Sequence, residues 1–92
     1  MRRVLVVSPD AGQRRLLAVH LKRAHYEVLE AASVADALQL CQRNEPDIVL
    51  SDWIIPGREG MESGLALCRA FRAGERRNYG YFVLLTSAQD HE

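Results

Sequence analysis

The sequence predicts an α/β protein: an open parallel sheet with helices on both faces. Three observations predict it. Short apolar runs near residues 4–7, 26–31, 48–50 and 81–85 alternate with three helix-patterned stretches, giving the order β-α-β-α-β-α-β. The first run is continuously apolar, as suits a strand buried on both faces. Cap or turn residues stand at most of the junctions.

Each element has its own warrant. Val4, Leu5, Val6 and Val7 form the first strand, and Ser8-Pro9-Asp10 ends it. A helical pattern then runs to Ala24, with Leu17, Leu21 and Ala24 at i, i+4, i+7, Leu16 and His20 flanking that stripe, and Asp10 or a neighbour as its cap. Residues 26–31 are more polar and suit an edge strand. Ser33 and Asp36 form a capping box that opens a helix with Val34, Leu38 and Cys41 on one face, and Asn44-Glu45-Pro46 stops it. Ile48-Val49-Leu50 is the third strand, running into Ser51-Asp52. The stretch from Pro56 to Gly60 is the richest in turn residues and reads as a loop. A helix from about Ser63 to Ala73 follows, with Leu67 and Phe71 at i, i+4 and Gly74 as its C-cap. The last strand, at 81–85, runs into Thr86-Ser87.

Ninety-two residues allow one domain, spanning 1–92. Twelve basic against twelve acidic residues give no net charge, which argues against nucleic-acid binding by bulk charge. No apolar run approaches the length of about 20 residues that spans a bilayer, and the basic start lacks an h-region, so a cytoplasmic chain with no membrane contact is expected. Cys41 and Cys68 show no metal-ligand spacing and read as small buried hydrophobes.

In such sheets, ligands sit beyond the carboxyl ends of the strands where strand order reverses. With the flavodoxin-like strand order 2-1-3-4, that rule gathers Ser8-Pro9-Asp10, Asp52 and Thr86-Ser87 at one edge. Right-handed crossovers also place the first helix on one face and the other two on the opposite face. On the first helix's face, the third and fourth strands then lack cover. The chain therefore reads as a truncated domain, or as one completed by another chain.

The segment from Asp47 to Gly57, with an acid ending a buried strand followed by Trp53-Ile54-Ile55-Pro56-Gly57, resembles the phospho-acceptor segment of two-component response-regulator receiver domains. Arg14-Arg15-Leu16-Leu17, Leu67-Cys68-Arg69 and the segment from Phe82 to Ser87 extend the resemblance along nearly the whole chain. It implies a flavodoxin-like fold, incomplete here because the fifth strand and last helices are lacking. It also implies that Asp52 accepts a phosphoryl group from a histidine kinase or phosphotransfer protein. Thr86 matches the switch hydroxyl and Ser87 the small residue beside it. Mg²⁺ would be held by Asp52, the backbone carbonyl of Ile54 and a displaced Asp10. A carboxylate and a divalent cation suit this chemistry, because in-line attack forms an acyl phosphate while the cation neutralises crowded oxygens.

The departures from the pattern are specific. Ser8 and Pro9 stand where receivers carry two consecutive acids, so weak or absent Mg²⁺ binding is expected. Lys22 is the only lysine, and it does not match the receiver lysine. The loop between Pro56 and Leu65 is about four residues longer than the common pattern. His20, His25, Arg2-Arg3 and Arg76-Arg77 read as structural or solvated groups, and Trp53 as packing. Ile54, two positions after Asp52, removes the second acid that a haloacid-dehalogenase-like phosphatase needs.

Two functions follow from these residues. One is a phospho-accepting module that switches its contacts with an output domain or effector protein, self-catalysing phosphoryl transfer at most. The other is an atypical receiver without Mg²⁺-dependent phosphorylation, acting as a constitutive docking or dimerising module. The uncovered sheet face predicts a homodimer or strand-exchanged oligomer.

Overall fold

The computed structural model describes residues 2–52, 54–57, 60–73 and 81–85. In chain order these form β1 (Arg3–Val7), α1 (Ala11–Arg23), β2 (Glu27–Ala31), α2 (Val34–Asn44), β3 (Ile48–Asp52), β4 (Ile54–Gly57), β5 (Gly60–Ser63), α3 (Gly64–Ala73) and β6 (Tyr81–Leu85). The main sheet is parallel throughout, with spatial order β2-β1-β3-β6. This is the predicted 2-1-3-4 order, with β6 as its fourth strand.

β1 lies between two neighbours and under cover on both faces, so Val4, Leu5, Val6 and Val7 are all at most 1% exposed. Each such side chain contributes roughly 1.5–3 kcal/mol of burial, which makes β1 the spine of the fold. Leu5, Val7, Ala31 and Val49 share one face, where Ala37 of α2 and Leu67 and Phe71 of α3 close over them. Phe82 joins that cluster, its ring centroid 5.6 Å from that of Phe71. α1 lies over β1 and β2 on the other face.

The caps follow the sequence. Asp10 accepts from the Gln13 N–H to open α1, and Ser33 accepts from the Asp36 N–H to open α2. Glu45 ends α2 in the left-handed region at φ 44°, its N–H bonded to the Cys41 carbonyl. α1 ends in a Schellman motif: the His25 N–H donates to the Lys22 carbonyl and the Tyr26 N–H to the Leu21 carbonyl. His25 takes the left-handed position at φ 72°, where glycine is usual.

The structure corrects four expectations. The segment read as a loop is an antiparallel hairpin, β4 with β5, in register Ile54↔Ser63 and Gly57↔Gly60. Two positions separate the paired glycines, a length that favours a hairpin, and an isolated two-stranded ribbon tolerates Pro56. α3 therefore begins at Gly64, because Ser63 is committed to β5. On α1, Ala18 is the fully buried residue while Ala24 is exposed, because Ala24 is already the C-cap. Arg3 is half-buried rather than simply solvated: it donates to Glu27 and to the Asn44 carbonyl, tying β2 and the end of α2 to β1. Trp53, Gly74, Arg76-Arg77, Thr86 and Ser87 lie outside the described residues.

Among the described residues, no helix covers β6 on the face of α1, as expected. Tyr81 and Val83 alternate with Phe82 along β6, so they point away from α3, and they are 67% and 43% exposed.

Candidate functional site

The site forms at the carboxyl edge of β1 and β3. The register pairs Val7 with Ser51, so the next residues, Ser8 and Asp52, emerge side by side and on the same face. Asp52 is half-buried and Ser8 is 1% exposed. The Ser8 hydroxyl donates to Asp52 Oδ2 at 2.7 Å, and among the described residues it is the only partner of that carboxylate. The Ser8 Oγ in turn accepts from the Asp10 N–H at 3.2 Å.

A charged frame supports Ser8 from behind. Arg14 Nη1 donates to the Ser8 carbonyl at 2.8 Å, while its Nε meets Glu30 Oε1 at 3.2 Å. Arg15 Nε approaches the other oxygen of Glu30 at 3.5 Å. These three residues also line an open groove of about 500 Å³ that runs from α1 past the end of the edge strand β2 to α2.

Of the residues singled out in the sequence, the structure brings Asp52 and Ser8 into contact and places Asp10 one residue beyond Pro9. Asp10 caps α1 through Oδ1, with Gln13 N at 3.1 Å. Ile54 opens the hairpin, opposite Ser63. His20 is exposed and His25 serves the α1 terminus. Cys41 and Cys68 are half-buried rather than fully buried, and neither forms a disulfide among the described residues. The roles of Arg14 and Glu30 were not visible in the sequence, since each reads as surface charge. Their signal lay in the topology, which sets the start of α1 against the end of β2.

The family model described as response regulator receiver domain matches residues 4–92. Among solved structures, the chain is similar to a receiver domain from Methylobacillus flagellatus (22% identity, TM-score 0.86, covering 98% of this chain and 73% of that one). It is also similar to the chemotaxis response regulator CheY4 of Vibrio cholerae (27%, TM-score 0.85, 98% and 72%). A third is the BeF3-activated N-terminal receiver domain of Klebsiella pneumoniae RstA (29%, TM-score 0.76, 98% and 74%). A four-stranded parallel sheet with an acid at its carboxyl edge is thus the scaffold of a receiver-type signalling module. The chain belongs to the response-regulator receiver family, the phospho-accepting modules of two-component signalling.

Receiver domains are signalling modules rather than metabolic enzymes. They work with histidine kinases and output domains, and they generally bind Mg²⁺ in an acidic pocket. Among the described residues, the donor set departs from that pocket. Mg²⁺ is held through one or two carboxylates with near-octahedral geometry. Ser8 offers a hydroxyl already committed to Asp52, Pro9 has no donor, and Asp10 is used as a helix cap. Among the described residues, no group of three His, Cys, Asp or Glu side chains converges on one point. No helix among them is long and apolar enough to cross a membrane.

Proposed function

We propose that this receiver takes a phosphoryl group on Asp52 from the phosphohistidine of a histidine kinase or phosphotransfer protein, and then changes its contacts with an output domain or effector. The observation that carries this reading is the Asp52 carboxylate at the end of β3, half-buried and held by one oxygen only. Transfer forms an Oδ1–P bond and breaks the P–N bond, the imidazole nitrogen keeping the electron pair. The phosphate then biases a pre-existing equilibrium between two conformations. Thr86 and Ser87, next after β6, supply the switch hydroxyl and the small residue beside it in this reading. Ile54 is assigned no further role, because the donor set around Asp52 does not support a cation site.

The test is intact mass after incubation with a small acyl-phosphate donor, with Asp52→Asn as control. One added phosphoryl group that disappears in the variant supports the proposal. No adduct on a folded chain refutes it.

A second reading is a docking module that self-associates without phosphorylation. The exposure of Tyr81 and Val83 on the uncovered face favours it, and a second copy of the chain is the partner. Light scattering across a concentration series distinguishes the two readings. A dimer that Tyr81→Thr with Val83→Thr dissolves supports self-association, and a monodisperse, folded monomer excludes it.

A further inference from the structure

Every polar group of Ser8 is engaged. Its N–H donates to the Ala31 carbonyl at 3.0 Å, and its carbonyl accepts from Arg14 at 2.8 Å. Its hydroxyl oxygen accepts from the Asp10 N–H at 3.2 Å. A serine hydroxyl has a single proton. With the backbone fixed and one lone pair occupied, that proton is aimed at Asp52 Oδ2, 2.7 Å away. Such a bond to an ionised oxygen is among the stronger ones a neutral side chain can make.

We propose that Ser8 is a positioning residue that holds the Asp52 carboxylate in place of a cation, pinning Oδ2 and leaving Oδ1 as the attacking oxygen. The inference rests on the reading of Asp52 as acceptor. Through the transfer the Ser8 proton stays on Oγ, and Oδ2 becomes the carbonyl oxygen of the acyl phosphate, still hydrogen-bonded. A carboxylate in place of Ser8 would set two anions side by side, an arrangement that a cation must neutralise. One residue thus separates a hydroxyl-held acceptor from a cation-held one.

The test compares the full-length chain with Ser8→Ala and Ser8→Asp. It uses Mn²⁺ binding by electron paramagnetic resonance, and acyl-phosphate uptake with and without a chelator. Chelation should leave the uptake rate of the unmodified chain within about twofold, while Ser8→Ala loses about tenfold, the equivalent of one charge-assisted hydrogen bond. Ser8→Asp should bind Mn²⁺ where the unmodified chain does not, melt several degrees higher with the ion, and lose uptake on chelation. Uptake by Ser8→Ala at the unmodified rate, or abolition of the unmodified chain's uptake by chelation, overturns the assignment. If no form takes up phosphate, the reading of Asp52 as acceptor fails. Mn²⁺ then decides Ser8 alone: binding by Ser8→Asp only supports the assignment, and equal binding by both, or by neither, overturns it. That comparison does not depend on Ser8→Ala folding.

Discussion

Replacing Arg14 by Met removes two polar contacts while keeping most of the aliphatic stem. The Nη1 bond to the Ser8 carbonyl, at 2.8 Å, goes to a residue only 1% exposed, so that carbonyl loses a charged donor with little water to replace it. A charge-assisted bond of this kind is worth about 1.5–3 kcal/mol. The ion pair with Glu30, at 3.2 Å with side chains 18% and 23% exposed, adds about 1 kcal/mol, more than a surface pair because both partners are largely covered. The total expected loss is roughly 2.5–4 kcal/mol. Arg15 contacts the same glutamate at 3.5 Å but is 73% exposed, so its coupling to Glu30 should be under about 0.5 kcal/mol. Urea titration of Arg14→Met, Arg15→Met, Glu30→Gln and the two double variants separates these terms as double-mutant cycles. An Arg15–Glu30 coupling equal to that of Arg14–Glu30, or an Arg14→Met loss below about 0.5 kcal/mol, would refute the view that Arg14 braces the Ser8 turn.

Three further outcomes are expected. His25→Gly should raise stability by about 0.5–1 kcal/mol, since a left-handed histidine costs more than the extra chain entropy of glycine; a lower denaturation midpoint would count against the Schellman assignment. Ser33→Ala should cost about 1 kcal/mol through the lost cap on Asp36 N–H, read by the same titration, with no change contradicting the cap. Leu67→Ala, at 1% exposure within the α3 contact, should cost about 2–5 kcal/mol, and a loss under about 1 kcal/mol would show that α3 is not seated on the sheet.

What the sequence made legible was local and periodic. The buried run of β1, the Ser33 cap, the stop at Glu45 and the Leu67–Phe71 stripe each depend on neighbours within a few positions. Given the 2-1-3-4 order of the family pattern, the uncovered face followed from crossover handedness. The hairpin β4–β5 was hidden because its proline and glycines signal turns generally, and only the pairing of Ile54 with Ser63 distinguishes a ribbon from a loop. Arg3 was misjudged as solvated charge because its partner, the Asn44 carbonyl, is defined by tertiary placement. The Ser8–Asp52 bond joins residues 44 positions apart. Each was visible as a site residue, but their contact required the register of β1 against β3. The roles of Thr86 and Ser87 rest on the family pattern alone, and these residues, like Trp53, lie outside those described.

The central claim is that Asp52, and no other residue, receives the phosphoryl group. The most direct measurement phosphorylates the full-length chain with a phosphohistidine-bearing transfer protein, traps the acyl phosphate by borohydride reduction, and maps the reduced residue by peptide mass spectrometry. The account predicts reduction at Asp52 alone, with none in Asp52→Asn. Reduction at another acid, or at none in a chain that melts cooperatively, would contradict it.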